Sequence, residues 1–407
     1  MKIRTITVWA EEIPLKFAFK HALAERRHSD SLIVKAVLDN GACGWGEALP
    51  RQYVTGETVG GCIEALGTRI LPRLAGLEIT TADDLRAAIL DLHDDPLTGG
   101  DLAALCSIEL ALLDALARSE GKTMYALLDR KPRVRTVTYS MVLGSGEKKA
   151  RKLARLSRLL GIAEIKVKVG PSPIDNERLV FAVRSVYPHA RLRLDANCAW
   201  TLDSARHNLD VLRRYGIEAC EQPLDRHDIN GHARLVAEYP ALRICADESL
   251  CSYNDARKLA VARAVNCFNI RLSKNGGLFN ALRIHALAQK AGIACQLGAQ
   301  VGETSILSAA GRIFAGISGD LCYHEGSFGT RLIASDVVRR PVVFGLGGRA
   351  VTRCRGQGWG IPADEAQVER FAVDRVSFPP VGSHAVLMRS ESMPQSSPPS
   401  LALGGMA

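Results

Sequence analysis

The chain has 407 residues, 47% of them hydrophobic and 23% charged, a balance that supplies a large core and excludes a wholly disordered polypeptide. Its formal charge of +9 is spread along the sequence without a Lys/Arg block interleaved with aromatic residues, so nucleic acid is not an expected partner. Eleven cysteines without a CxxC pair exclude a zinc knuckle and a disulfide framework and point to free thiols in a reducing, cytoplasmic compartment; no long apolar run or signal peptide interrupts the charges of MKIRTITVWAEEIPL, so no membrane partner is expected.

Residues 1 to about 60 alternate in the manner of antiparallel strands, as in IRTITVWAEEI and SLIVKAVLDNGACGWGEAL, with Asp39-Asn40-Gly41 as the hairpin turn. Helical spacing takes over in DLAALCSIELALLDALARSEG, where Asp101 is placed to cap the start and Gly121 to end it. Strands followed by helices predict a small α+β domain over residues 1–130.

A second rhythm follows. The segments RTVTYSMVL, EIKVKVG, RLRLDAN, EACEQPL, RICADES, CFNIRLSK, ACQLGAQ and LCYHEG are short and β-rich, with amphipathic helical stretches between most of them. Eight strands spaced roughly 25 residues apart match βα units and predict a closed α/β barrel over residues 131–335. An open doubly wound sheet would carry a glycine-rich phosphate turn after its first strand, and none occurs. Residues 336–375 read as a glycine-rich loop and short helix returning to the first domain, and the Ser-, Pro- and Gly-biased residues 376–407 as a disordered tail.

Catalytic groups of a parallel barrel gather at the C-terminal ends of its strands. Those ends carry Lys166 and Lys168 on the second strand, Asp195 on the third, Glu221 on the fourth, Asp247 on the fifth and Lys274 just past the sixth. Three converging carboxylates are costly to bury unless a divalent cation lies between them, and oxygen-only ligation favours Mg²⁺. Lys166 and Lys168 share one strand face, an arrangement in which one ammonium is expected to depress the other's pKa and free a base. Bases flanking a metal site suit abstraction of a proton from a carbon next to a carboxylate, with the metal and a cation stabilising the charge that develops.

With GWGEALP (residues 44–50), AALCSIELALLDALARSEGKTMYALL (103–128), IKVKVG, RLDANCAW, CEQPL, ADESL and IRLSKNGGL, the chain resembles the enolase superfamily, and within it the muconate-lactonizing subgroup. The resemblance implies an α+β capping domain over a modified TIM barrel of (β/α)₇β form, with Mg²⁺ held by Asp195, Glu221 and Asp247. It further implies Lys168 and Lys274 as the two acid/base groups, Lys166 assisting, and a homo-oligomer acting on a small-molecule carboxylate. The mandelate-racemase subgroup places a histidine after its seventh strand; here that segment is CQLGAQ, without one. RQYVTGET (51–58) is similar to the capping loop of dipeptide epimerases, which makes Arg51, Tyr53 and Thr55 candidate substrate contacts, with Thr55 alternatively a helix cap; Glu303 and Glu325 are further candidates. Dipeptide epimerases end their eighth strand with an Asp-x-Asp pair that holds the substrate ammonium, whereas this chain has His324-Glu325-Gly326. The expected activity is a Mg²⁺-dependent racemase or epimerase working through a metal-stabilised enediolate of an amino-acid derivative or dipeptide. The alternatives are a cycloisomerase or lyase of the muconate cycloisomerase or o-succinylbenzoate synthase type and, from another class, a non-catalytic binding protein on the barrel scaffold.

Overall fold

The computed structural model describes residues 1–21, 24–144, 146–353, 355–378 and 388–389. The first domain is an antiparallel sheet built on β1 (Ile3–His21), β2 (Ala24–Leu38) and β3 (Cys43–Ala48). The turn between β2 and β3 falls at Asp39–Ala42: Gly41 sits at φ +84°, Leu38 N–H donates to Ala42 O at 2.9 Å, and Asn40 Oδ1 accepts Ala42 N–H at 3.0 Å.

The long helix Leu102–Ser119 lies against β3 and is buried along nearly its whole length. Its approach explains the two glycines of GWG. A Cβ on Gly44 would stand 2.0 Å from Ala115 N, and one on Gly46 would stand 1.9 Å from Ser107 O, both backbone atoms of the helix. The helix start differs from expectation. Asp101 occupies the N-cap position without a capping bond, because Arg69 takes its carboxylate in a two-pronged pair (Nε to Oδ2 2.9 Å, Nη2 to Oδ1 2.8 Å). Glu57 Oε1 instead accepts Ala103 N–H at 2.7 Å.

The barrel sheet runs in the order β11-β10-β9-β8-β7-β6-β5, every neighbour parallel. Its strands are β5 (Met141–Leu143), β6 (Glu164–Lys168), β7 (Arg191–Asp195), β8 (Ile217–Glu221), β9 (Arg243–Ala246), β10 (Cys267–Ile270) and β11 (Ala294–Leu297). The first predicted strand is divided: β4 (Thr136–Thr138) leaves the barrel to pair with β12 (Arg349–Val351), and only β5 joins the parallel sheet. The eighth predicted strand is an isolated bridge between Leu297 and His324. It still closes the ring by hydrogen bonds on both sides: Leu297 N–H donates to Tyr323 O (3.0 Å), Glu325 N–H to Leu297 O (2.8 Å), and Ser140 N–H to His324 O (2.8 Å). Arg, Glu and Tyr side chains inside this end of the barrel do the packing that a longer ladder would otherwise do.

After the barrel, the helix Glu365–Phe371 and strand β13 (Ala372–Phe378) return to the first domain, β13 pairing antiparallel with β1. Trp9 Nε1 donates to Glu369 Oε1 at 3.0 Å, and Lys35 pairs with Glu365 at 2.6 Å. The strand thus takes in residues 376–378, the first three of the expected disordered tail, because Val376 and Phe378 are buried against β1. A last strand, β14 (Met388–Arg389), pairs with β13; residues 379–387 and 390–407 lie outside the described residues. Every described cysteine is a free thiol, and no helix among the described residues is long and apolar enough to cross a membrane.

Because the helix backbone leaves no room at Gly46, Gly46→Ala is expected to lower the unfolding free energy by about 3 kcal/mol. Gly41→Ala meets open space and strains only a turn, so urea denaturation should show a smaller loss there, about 1 kcal/mol.

Candidate active site

The strand register assembles the chemistry. Lys168, Asp195 and Glu221 stand side by side at the ends of β6, β7 and β8, and Glu221 pairs with Cys245, which puts Asp247 just beyond the end of β9. Side chains two apart on a strand share a face, so the residues one pleat deeper, Lys166, Arg193, Cys245 and Asn269, also point into the barrel.

Lys166 is the hub of the interior. Its ammonium donates to Glu221 Oε1 (3.0 Å), Glu221 Oε2 (3.2 Å) and Glu325 Oε2 (2.8 Å), and lies 3.5 Å from Asp195 Oδ2. Burial pulls the Lys166 pKa down, but Glu221, Glu325 and Asp195 together outweigh it, and the net shift is upward. The mutual depression expected of the lysine pair therefore does not describe Lys166: three carboxylates hold it charged. Lys168 is the more accessible partner. It donates to Asn197 Oδ1 at 2.8 Å and lies 3.2 Å from Asp195 Oδ2.

Across the barrel, β10 ends in the turn IRLSKNGG. Lys274 Nζ donates to Asp247 O (2.6 Å), Asp247 Oδ1 (2.8 Å) and Asn269 O (3.0 Å), while Arg271 Nη2 reaches Asp247 Oδ2 (2.5 Å) and Glu221 Oε1 (3.3 Å). Gly277 lets this turn meet the first domain: at φ +110°, a Cβ there would stand 2.4 Å from Glu109 Oε2. Glu109 Oε1 in turn accepts Leu278 N–H (2.6 Å) and Phe279 N–H (3.0 Å) at the start of the helix Leu278–Ala291.

The site opens as a cavity of about 970 Å³, in part continuous with solvent. Lys166, Lys168 and Asp195 line it, with Asn197 and Arg271; Glu221, Asp247 and Lys274 stand behind this wall. Lys168 ends β6 and Lys274 lies in the turn after β10, with β7, β8 and β9, which lead to the three acids, between them on that side of the sheet. The acids are 1–2% exposed. Burial raises the pKa of each, but Lys168, Lys166 and Arg271 bring Asp195 well below the carboxylate range, and Arg271 and Lys274 bring Asp247 down. Glu221 is raised: burial, and then the like charges of Asp195, Glu325 and Asp247, prevail over Lys166.

Among the described residues, no three His, Cys, Asp or Glu side chains are grouped as a ligand set around one point, because Lys166, Arg271 and Lys274 occupy the oxygens of Glu221 and Asp247. The donor set nevertheless fits a hard divalent cation. It is all oxygen, deeply buried and borne on adjacent strand ends, and Asp195 Oδ2 lies at the cavity edge without a hydrogen bond of acceptable geometry.

The candidate substrate contacts divide. Tyr53, Glu303 and Glu325 line the cavity. Arg51 does not: its buried guanidinium donates to Asp30 O (3.0 Å), Pro50 O (2.9 Å) and Val301 O (2.9 Å), tying the first domain to the loop after β11. Thr55 lies outside the lining residues as well, and the helix cap expected of it belongs to Thr58, whose Oγ1 accepts Gly61 N–H at 3.1 Å. Both oxygens of Glu325 are engaged, Oε2 by Lys166 and Oε1 by Arg193 Nη2 at 3.0 Å.

Several residues of the site escaped the sequence reading. Arg193 is held by Gln296 Oε1 (2.8 Å) and Ser140 Oγ (2.9 Å) and stacks 4.2 Å from the Tyr323 ring centre. Gln222, at φ +39°, accepts the backbone N–H of Asp247 (2.9 Å) and Ser249 (3.1 Å) on its side-chain oxygen and so fixes the fifth strand end. A charged or amide residue at the parity of a known strand-end acid was the available signal for Arg193 and Gln296.

Comparison with known proteins gives the arrangement its relatives. Residues 149–367 match the family model described as "Enolase C-terminal domain-like". A hydrophobic dipeptide epimerase of Enterococcus faecalis is 32% identical over 308 residues, 75% of this chain and 84% of the relative. Among solved structures, the N-succinyl Arg/Lys racemase of Bacillus cereus has a TM-score of 0.81 at 26% identity, covering 93% of this chain and 100% of that one. The dipeptide epimerase of Cytophaga hutchinsonii, complexed with Mg and the dipeptide D-Ala-L-Val, has the same TM-score of 0.81 at 26% identity, with 93% and 100% coverage.

Glu303 supplies a pH dependence. Burial pushes its carboxyl from the ordinary 4.5 to about 8, with Gln300 N–H opposing the shift at 2.6 Å from Oε1. A raised folded pKa means that stability from the neutral carboxyl is complete below 4.5 and is lost as pH rises toward 8. Glu303→Gln is therefore expected to gain on the parent protein between pH 5 and pH 8.5 by about 2 kcal/mol, read from paired urea titrations.

Proposed function

This chain belongs to the enolase superfamily, and from that premise we propose that it is a Mg²⁺-dependent racemase or epimerase that moves the proton on the carbon next to the carboxylate of an amino-acid derivative. The observation that carries the reading is the placement of Lys168 at the end of β6 and Lys274 in the turn after β10, with Asp195, Glu221 and Asp247 at or just past the ends of the three strands between them. Asp195, Glu221 and Asp247 would hold the Mg²⁺, which when bound stabilises the negative charge that builds on the substrate carboxylate.

The chain's own groups supply the rest. Lys168, on the cavity wall, removes the α-proton from one face. Lys166, charged and held by Glu221 and Glu325, adds fixed positive potential beneath the carboxylate. Lys274 returns a proton from the opposite face, for which its ammonium must first leave the Asp247 carboxylate that it now donates to. Asn197 bridges Lys168 and Glu248, donating to Glu248 Oε1 at 3.1 Å, and so fixes the Lys168 ammonium relative to Asp195.

The outer cavity favours a substrate with an apolar or acylated far end. Val54, Val142, Phe328 and Leu332 line it, and Glu325, the acid nearest in sequence to the position of an ammonium clamp, has both oxygens committed within the barrel. N-acylated amino acids and hydrophobic dipeptides are the classes to try first. These are also what the racemase and epimerase relatives act on by their names.

In deuterated water, turnover of either enantiomer should place deuterium at the α-carbon and interconvert the two; loss of water or ring closure in the product would instead identify a lyase or cycloisomerase. Lys168→Ala and Lys274→Ala are each expected to lower kcat by about 10³-fold with an unchanged circular dichroism spectrum. Chelation should stop turnover and added Mg²⁺ restore it, an outcome that a binding-only protein would not show.

A further inference from the structure

Residues 52–56 form a short arch at the cavity mouth, anchored on one side by a buried guanidinium and on the other by a part-buried carboxyl group. On one side Arg51 donates to three backbone carbonyls, including Val301 O of the barrel. On the other, Glu57 accepts Ala103 N–H at the start of the helix Leu102–Ser119. The arch itself is one helical turn, Gln52–Thr55, ended by Gly56 at φ +81° with open space where a Cβ would stand. Tyr53 and Val54 of the arch line the cavity, and Val54, Leu102 and Cys251 make a small apolar cluster separate from the main core.

The crown of the arch is held from below by the barrel. Arg226 Nη1 donates to Val54 O at 2.6 Å, and Arg226 Nη2 lies 3.3 Å from Cys251 Sγ; the Cys251 thiol is itself 3.8 Å from Val54 O and 3.6 Å from Glu248 O. Arg226 follows Glu221 by five residues in the loop after β8, and Cys251 follows Asp247 by four in the loop after β9. The loops that leave two of the three acid-bearing strands, β8 and β9, therefore meet on one carbonyl of the arch.

We propose that Arg226 is the latch that keeps this arch closed over the cavity, a positioning residue acting through Val54, and that Cys251 is the thiol uncovered when the arch lifts. A guanidinium suits the task because one planar group reaches the carbonyl and the sulfur together, whereas a lysine has a single nitrogen to place. The latch stands on this geometry whichever carboxylate the cavity accepts.

Cysteine labelling reads the arch when paired with KM, because Arg226 also touches the Cys251 thiol itself. Peptide-resolved N-ethylmaleimide labelling compares Cys251, 7% exposed, with half-buried Cys198 as reference and fully buried Cys220 as an indicator of global unfolding. Arg226→Ala is expected to raise the Cys251 rate relative to Cys198 about tenfold, the factor for one lost charge-assisted hydrogen bond, and Arg226→Lys to fall between the two. On a substrate that the parent protein turns over, KM should rise by a similar factor while kcat stays within about threefold. An unchanged Cys251 rate in Arg226→Ala with parent-like unfolding overturns the latch. If Cys220 becomes reactive in that variant, Arg226→Lys decides on the same criterion. Labelling needs no substrate, so a failure of the racemase reading leaves this outcome legible on its own.

Discussion

Charge balance inside the barrel is the constraint on which the rest of the molecule depends. Asp195, Glu221, Asp247 and Glu325 are buried with Lys166, Arg193, Arg271 and Lys274, four acids against four cations, each at most 9% exposed. Removing either member of such a pair leaves a naked buried charge, which costs about 3–5 kcal/mol. The interior is therefore built for compensation rather than for hydrophobic stability, and it can exchange one source of positive charge for another. A divalent cation held by Asp195, Glu221 and Asp247, as proposed, would compete with the ammonium and guanidinium groups that these carboxylates now accept from.

The capping domain is docked by the same kind of economy. Glu47, on β3, accepts Thr304 N–H (2.8 Å), Thr304 Oγ1–H (2.6 Å) and Leu307 N–H (2.9 Å) at the start of the barrel helix Ser305–Ser318. Glu109 does the same for the helix Leu278–Ala291. Each carboxylate from one domain thus satisfies orphan amides at a helix start in the other, where the helix dipole favours negative charge. Burial raises their pKa values to about 7 and about 8 respectively, against the lowering effect of those same hydrogen bonds. The two side chains thus tie the domains together through backbone amides that would otherwise be left without an acceptor.

The strand ends of the candidate site were legible in the sequence because each is a polar residue closing a short apolar, β-rich run. Lys168, Asp195, Glu221 and Asp247 were readable in that way, and the in-register pairing of the first three follows from the uniform βα spacing. The eighth strand was less so. LCYHEG carries the residues of a strand but pairs through a bridge, since Tyr323, Glu325 and Arg193 pack there as large polar groups and hold the ring by side chains. Asp101 illustrates another limit: its place before a helix fits a cap, but Arg69, thirty-two residues away, competes for the carboxylate and wins with two bonds. Arg51 is a third case. Its neighbourhood resembles a substrate loop, yet what it touches is set by how close the β11 loop comes, which no local pattern encodes.

These cases share a cause that bears on the active site itself. A side chain's location on a strand or loop is a local property, but its partner is chosen by competition among every group that the fold brings within reach. Lys166 shows the consequence most sharply. Beside Lys168 on the sequence, it reads as a neighbour that would weaken the other's hold on a proton; in the fold it is surrounded by Glu221, Glu325 and Asp195 and is held charged. The two lysines, one pleat apart, are thereby divided in setting: the deeper one is enclosed by carboxylates, and the outer one, in contact with Asn197, stands at the cavity wall where the proposed proton transfer would need its base. That division depends on Glu325, and so on Arg193, which pins its other oxygen. On the proposed function, the eighth strand would thus act through the carboxylate that it sets beside Lys166.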